Sequence, residues 1–120
     1  MGTLHRIAPI FAVRDLDMAM EHYRRLGFDV RPYAGGGYGF ASRDGIEIHL
    51  GVVPEGDRRT GSAYLFVEDA DELAAAWRAG GAEVHSPRDT AWGQHEGAVV
   101  DPDGNVIRFG SPMGNAAAGG

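Results

Sequence analysis

The sequence predicts an α+β fold in which one βαβββ module occurs twice, with the strands forming a cup-shaped mixed β-sheet and the helices outside it. Three observations predict this fold: an internal repeat, one capped helix in each copy, and short strand-like segments separated by glycine-rich turns. The length of 120 residues suits one domain built from two small units.

The internal repeat relates the two halves of the chain. Residues 13–18 (Val-Arg-Asp-Leu-Asp-Met) align with residues 67–72 (Val-Glu-Asp-Ala-Asp-Glu), and the alignment continues without a gap. Six pairs of positions are identical: Val13 and Val67, Asp15 and Asp69, Asp17 and Asp71, Arg24 and Arg78, Gly27 and Gly81, and Val30 and Val84. Identities at helix starts, helix ends and strands indicate a duplication.

The first copy begins with an apolar, β-prone segment at residues 7–13, and a helix follows it. Asp15 is placed to cap this helix, and Gly27 supplies the left-handed residue that ends it. The predicted buried face consists of Leu16, Ala19, Tyr23 and Leu26. Three predicted strands follow at residues 28–33, 38–42 and 46–52, separated by Gly35-Gly36-Gly37 and Asp44-Gly45.

The second copy repeats this order after a strand at residues 63–67. Asp69 and Glu72 form a pair that resembles a capping box, and Gly80-Gly81 ends the helix. The predicted buried face consists of Ala70, Leu73 and Trp77. The later strands are predicted at residues 82–85, 96–101 and 106–110, separated by Pro87 and by the turn at residues 101–105.

The domain organisation follows from the repeat. The first module spans residues 1–54, a polar linker spans 55–61, the second module spans 62–111, and a flexible tail spans 112–120. Neither module is large enough to cover its own sheet, so we expect the sheets to close into one cup whose interior is the ligand site.

Composition excludes several classes of function. With 11 basic and 17 acidic residues, the chain has a net charge of −6 and no basic stripe, which argues against a nucleic-acid partner. The absence of cysteine excludes disulfides and thiol catalysis. No apolar run approaches membrane-spanning length and the N-terminus lacks a signal-peptide pattern, so we expect a cytoplasmic protein with no membrane partner.

Two stretches resemble the vicinal-oxygen-chelate superfamily, which contains glyoxalases, extradiol dioxygenases, and fosfomycin- and bleomycin-resistance proteins. They are residues 13–28, with the pattern Val-Arg-Asp-Leu-Asp, Tyr and Leu-Gly-Phe, and residues 101–109, Asp-Pro-Asp-Gly-Asn-Val-Ile-Arg-Phe. The resemblance covers residues 7–110 and implies the duplicated fold. It does not imply one function, because this scaffold carries many chemistries.

The resemblance also implies where a metal would bind. Enzymes of the superfamily hold a divalent metal at four symmetry-related strand positions, which correspond here to Ala8, Glu47, Ser62 and Arg108. Alanine has no donor atom and a guanidinium repels a metal ion, so we predict no metal, no cofactor and no catalytic residue. An alternative remains: Glu47 and His49 share one strand face and, with His95 or His5, form a rearranged metal site.

Within the superfamily, the sequence is most similar to the bleomycin-resistance proteins. Residues 8–15 (Ala-Pro-Ile-Phe-Ala-Val-Arg-Asp) place a proline in the first strand as those proteins do, which implies a homodimer with an exchanged N-terminal strand. The Trp92-Gly93 pair resembles the motif at their ligand crevice, where an indole stacks on a planar part of the drug. The resemblance implies ligand contacts by Trp92, Gly93, Tyr33, Tyr38, Phe40 and Tyr64, with polar contacts by Glu47, His49 and Arg108.

We therefore predict a metal-free protein that sequesters a planar, cationic antibiotic similar to bleomycin. An indole face attracts such a ligand through its area and its quadrupole, and Asp44, Glu47 and Glu96 add long-range attraction. Two alternatives stay open: a metal-dependent lyase or dioxygenase that uses Glu47 and His49, and a non-catalytic small-molecule sensor or accessory domain.

Overall fold

The computed structural model describes residues 2–113 and confirms two βαβββ modules. The first module consists of β1 (Ile10–Val13), α1 (Leu16–Arg25), β2 (Asp29–Pro32), β3 (Tyr38–Arg43) and β4 (Ile46–Val52). A short 3-10 turn, Glu55–Asp57, lies in the linker. The second module consists of β5 (Ser62–Phe66), α2 (Ala70–Ala79), β6 (Glu83–Asp89), β7 (Gln94–Val100) and β8 (Val106–Pro112).

The strands form two separate four-stranded sheets with the same topology. Their orders are β1-β4-β3-β2 and β5-β8-β7-β6, and in each sheet the first pair is parallel and the others are antiparallel. We call them the first and the second sheet. Because β1 and β5 both remain edge strands, the described chain does not close the two sheets into the single cup that the sequence predicts.

Both helices begin at the predicted aspartates. The Asp15 side chain accepts a hydrogen bond from the N–H of Met18 at 3.0 Å, and Asp69 accepts from the N–H of Glu72 at the same distance. Each cap satisfies a backbone donor that the helix itself leaves free, which is worth about 1 kcal/mol. Gly27 follows α1 with φ +91°, a conformation in which a side chain would be strained.

The two modules share one apolar core. Its largest members are Phe11, Tyr23, Leu26, Phe28, Trp77 and Phe109. Trp77 has the core role that its helical spacing predicts, because only 2% of it is exposed. Its indole N–H donates to the Leu26 carbonyl at 2.9 Å, so the second helix is bonded to the end of the first. A buried indole needs such a partner.

A buried polar turn gives a second connection between the modules. One oxygen of Asp101 accepts from the N–H groups of Asp103 and Asn105, which closes the predicted turn at residues 101–105. The amide of Asn105 then donates to the Ala12 carbonyl in β1 at 3.0 Å, and the other Asp101 oxygen accepts from the Tyr23 hydroxyl at 2.9 Å. Burial and this carboxylate raise the pKa of Tyr23 well above its ordinary value.

The strand boundaries differ from the predicted ones at the prolines. β1 begins at Ile10 rather than at residue 7, and Leu4 and Ile7 are 95% and 93% exposed. The Pro9 carbonyl, just before β1, accepts a hydrogen bond from the N–H of His49 in β4 at 2.9 Å. Because proline has no N–H, Pro9 cannot donate a hydrogen bond to extend the strand pairing further. β6 continues through Pro87, with an irregular register between His85 and Arg88.

The last strand is longer than predicted. β8 extends to Pro112, one residue into the predicted tail, and residues 114–120 of that tail lie outside the described residues. Within residues 2–113, neither helix has the length and hydrophobicity needed to cross a bilayer.

Candidate ligand-binding site

Trp92 lies at the tip of the β6–β7 hairpin and is 64% exposed, so it is not part of the core. The hairpin turn is ordered by Thr90, whose N–H and hydroxyl both donate to the Gln94 carbonyl at 2.9 Å. Gly93 has φ +90°, the left-handed conformation in which glycine is unstrained. The turn therefore presents a large aromatic ring to solvent on a short, hydrogen-bonded loop.

Glu96 organises the surroundings of Trp92. One of its oxygens accepts from the indole N–H of Trp92 at 3.2 Å, and the other accepts from the Arg108 guanidinium at 3.4 Å. The Glu96 side chain is only 10% exposed, whereas that of Arg108 is 60% exposed. We call Trp92, Glu96, Arg108 and Tyr64 the Trp92 cluster. Sequence reasoning gave Glu96 only a long-range role, because its contact with Trp92 depends on the hairpin register.

The fourth member of the cluster is Tyr64, whose ring lies across Gly110. A Cβ at Gly110 in β8 would collide with the Tyr64 hydroxyl, so the ring lies directly over that backbone. Partial burial first, and a hydrogen bond to Glu96 second, raise the pKa of Tyr64. The Tyr64 ring also contacts Phe66, with centroids 5.0 Å apart.

A second group of predicted residues lies on the first sheet. Phe40 in β3 pairs with His49 in β4, and their rings meet edge to face with centroids 4.9 Å apart. One nitrogen of His49 lies 2.9 Å from the Tyr38 hydroxyl, and the other lies 2.7 Å from a Glu47 oxygen. We call Tyr38, Phe40, Glu47 and His49 the His49 cluster. The structure thus brings together four of the predicted contact residues.

Two arginines that the sequence analysis did not select cover parts of the His49 cluster. The Arg31 guanidinium lies over the Phe40 ring, 4.2 Å from its centroid, which is a cation–π contact. Arg6 lies 3.5 Å from a Glu47 oxygen. The hydrogen bond from His49, and secondarily the Arg6 charge, lower the pKa of Glu47. Glu47 is therefore already bonded to His49 and close to the Arg6 guanidinium.

The two clusters remain on separate sheets, and one groove partly connects them. A groove of about 400 Å³ is lined by residues 6–9, by Glu47 and Ile48 of β4, and by Tyr64 and Ile107 of the second sheet. It brings Glu47 and Tyr64 to one surface, whereas Trp92 and Phe40 lie outside its lining. Tyr33 stands apart at the end of β2, 54% exposed and packed over Gly35.

Strand register shows which positions of the two modules are equivalent. Ile10 and its repeat mate Tyr64 pair with His49 and Arg108 respectively. Arg108 is therefore the equivalent of His49, and the equivalent of Glu47 is Val106, two residues before Arg108. The prediction that Glu47 and Arg108 occupy equivalent positions of the two modules is therefore wrong by two residues. It was based on the similar sequences around these residues, and strand pairing does not follow that similarity.

The residues at the metal positions implied by the superfamily do not fit a metal. Ala8 has no donor atom, and Arg108 is cationic and bonded to Glu96, so two of the four implied positions cannot bind a metal ion. Across residues 2–113, no three His, Asp or Glu side chains converge in a geometry that would hold a metal ion. His95 lies on the second sheet, where Asp71 and Asp89 contact its two nitrogens.

Comparison with known proteins gives a family and a fold. The family model described as the Glyoxalase/Bleomycin resistance protein/Dioxygenase superfamily matches residues 3–109. No curated protein matches the sequence. The structure is similar to a bleomycin resistance determinant encoded on the transposon Tn5, with TM-score 0.80 and 24% identity over 92% of this chain and 99% of that one.

Two further solved structures are similar over nearly their whole length. A bleomycin-binding protein complexed with bleomycin has TM-score 0.78 and 22% identity, covering 92% of this chain and 100% of that one. The antibiotic binding protein TnmS3 from Streptomyces sp. CB03234 has TM-score 0.70 and 25% identity, covering 93% and 100%. All three alignments span both modules.

Proposed function

The chain belongs to the Glyoxalase/Bleomycin resistance protein/Dioxygenase superfamily, and on that premise we propose that it is a drug-binding member that sequesters a planar, cationic antibiotic of the bleomycin type without catalysis or a bound metal. The observation that carries the proposal is Trp92. A tryptophan that is 64% exposed, yet held by a hydrogen bond to Glu96, is placed for a partner that residues 2–113 do not supply.

The chemistry of the two clusters suits a flat ligand that carries positive charge. Trp92 and Tyr64 offer aromatic surface for stacking, and aromatic pairs contribute about 0.5–1.5 kcal/mol beyond the area they bury. The net charge of −6 gives a cationic drug a favourable approach. A protein of this kind lowers the free drug concentration by mass action and needs no reactive group. The three similar structures are a bleomycin resistance determinant, a bleomycin-binding protein and an antibiotic binding protein, which supports a drug as the ligand.

We further propose that two copies form a homodimer in which the N-terminal strands are exchanged. Residues 2–9 form no helix or strand, and Leu4 and Ile7 are almost fully exposed. Ile10 and Phe66, on the two edge strands, are 62% and 77% exposed, so apolar surface lies uncovered on both sheets. A partner copy would cover this surface and complete the cup that one chain leaves open.

The test is a calorimetric titration with metal-free bleomycin, in the presence and absence of EDTA. We expect saturable binding near one drug per chain that EDTA does not change. Substituting Trp92→Ala removes a central aromatic contact and should weaken binding by about thirtyfold, the equivalent of about 2 kcal/mol. Met18→Ala is the matched control, since Met18 is an exposed apolar residue on α1.

Two outcomes would contradict the proposal. If Trp92→Ala binds the drug as tightly as the unmodified protein, stacking on this ring is not the mechanism. If the purified protein holds a stoichiometric metal that Glu47→Gln removes, and the drug does not bind, the metal-dependent alternative replaces sequestration. The oligomeric state is read separately by sedimentation, where deletion of residues 2–8 should convert a dimer to monomers.

A further inference from the structure

We propose that His95 is a positioning residue for Trp92, because it connects the β6–β7 hairpin to the start of α2 and thereby holds the indole at the binding face. The inference rests on the proposed function only in taking Trp92 as the ligand contact. It assigns to His95 no contact with the ligand and no chemical step.

His95 makes two hydrogen bonds, one within the hairpin and one outside it. One nitrogen lies 2.9 Å from an oxygen of Asp89, the residue directly across the hairpin in the strand register. The other nitrogen lies 2.9 Å from an oxygen of Asp71, in the first turn of α2. Trp92 lies in the turn between Asp89 and His95, so this bridge fixes both ends of the turn that carries the indole.

The hairpin is thus held from both of its faces. Successive strand residues point to opposite sides, so Glu96 contacts Trp92 on one side while His95 faces α2 on the other. The start of α2 is itself well fixed: the N–H of Ala70 donates to the buried Ser111 hydroxyl at 3.1 Å. Ser111 is also the β8 residue that pairs with His95.

The protonation state of His95 decides whether both bonds form. A neutral imidazole has one donor, whereas the imidazolium has two, and each carboxylate requires a donor. The charged groups that face the ring are Asp71 from α2 and Asp89 from β6, while β8 contributes the neutral Ser111. The hydrogen bond to Asp71 first, and that to Asp89 second, raise the pKa of His95 above 6.5. The bridge is therefore complete below that raised pKa and loses one bond above it.

The direct test is a measurement of the mobility of the Trp92 indole by ¹⁵N relaxation between pH 5.5 and pH 9. We expect a higher order parameter for the Trp92 indole N–H when His95 is charged than when it is neutral; rigid and flexible backbone N–H groups, at about 0.85 and below about 0.6, give the scale. Asp71→Ala removes the bond to α2, because alanine offers the imidazole no acceptor, and should give the lower order parameter throughout. The buried Trp77 indole is the internal control and should remain rigid. His85→Gln is the matched histidine control, because His85 contacts only the exposed Glu83 at 3.2 Å among the hydrogen bonds described.

The second readout is drug affinity. It is taken as the ratio between the affinity of Asp71→Ala and that of the unmodified protein at each pH, so that ionisation of the drug cancels. We expect the variant to bind about fivefold more weakly at pH 6, one hydrogen bond's worth, and the ratio to approach one above the His95 pKa. If Trp92→Ala weakens binding but indole mobility is independent of pH and of Asp71, the positioning role is wrong. If mobility follows His95 while Trp92→Ala binds normally, the positioning role stands and the proposed function fails.

Discussion

Replacing Glu96 with glutamine tests whether this carboxylate organises the Trp92 cluster. The two Glu96 oxygens accept from Trp92 at 3.2 Å and from Arg108 at 3.4 Å, and glutamine has one acceptor in place of two. Its NH₂ group would face one of these donors, and the guanidinium would lose its counter-charge. Hydrogen bonds to charged groups contribute about 1.5–3 kcal/mol. Because both distances are long and Arg108 is 60% exposed, we expect a loss at or below the lower end of that range, about 1–1.5 kcal/mol of unfolding free energy.

The assay is urea denaturation followed by circular dichroism, with acrylamide quenching of tryptophan fluorescence beside it. Glu83→Gln is the control, because Glu83 is 65% exposed and its loss should change stability by less than about 0.5 kcal/mol. We expect Glu96→Gln to lower the denaturation midpoint and to increase quenching, since Trp92 loses its partner while Trp77 stays buried. If Glu96→Gln behaves as Glu83→Gln does in both assays, Glu96 does not hold Trp92.

Three further substitutions or conditions probe the same architecture. Gly110→Ala should displace the Tyr64 ring from β8 and weaken drug binding, measured by calorimetry, because the new Cβ collides with the hydroxyl. Tyr23→Phe removes a buried hydrogen bond to Asp101 and should cost about 1–2 kcal/mol in urea denaturation. Because the folded state raises the pKa of His95, the charged form of this residue stabilises the fold; the contribution is fully present below pH 6.5 and is lost as the pH rises through the raised pKa. The difference in urea midpoint between the unmodified protein and His95→Gln should therefore shrink as the pH rises. A difference that does not change with pH would contradict this role.

Local chemistry explains why much of the fold was predictable. Asp15 caps a helix through its own side chain, and Gly27 ends it through its own backbone conformation, so neither depends on distant residues. The strand ends at the prolines were not predictable in this way. Whether Pro9 lies inside or outside a ladder depends on the pairing of β1 with β4, and Pro87 is accommodated only by an irregular register against β7.

The exposure of Trp92 was predictable from the sequence, whereas its contacts were not. Trp92 lies between turn-forming residues, and this setting indicates an exposed ring. Its bond to Glu96 requires the hairpin register, and the approach of Arg108 requires the pairing of β7 with β8. The contact of Arg31 with Phe40 likewise joins residues of two strands through their register. Such contacts depend on which strands pair and in which register. A single sequence specifies the register only through the alternation of apolar and polar residues along each strand.

The duplicated scaffold uses the same pair of positions in both clusters. By strand register, His49 is equivalent to Arg108, and Tyr38, which pairs with Gly51, is equivalent to Glu96, which pairs with Gly110. In the first sheet this pair is a phenol bonded to an imidazole; in the second it is a carboxylate bonded to a guanidinium.

The two pairs have therefore diverged: Tyr38 and His49 form a bonded aromatic pair, whereas Glu96 and Arg108 form an ion pair beside an exposed indole. Two like surfaces would serve a symmetric ligand, whereas an extended drug with a flat apolar part and a polar, charged part needs two unlike ones. A single chain keeps these surfaces on separate sheets. The groove of a single chain joins the two clusters only at Glu47 and Tyr64. We therefore propose that the dimer places the first sheet of one copy opposite the second sheet of the other, so that an asymmetric drug contacts both clusters.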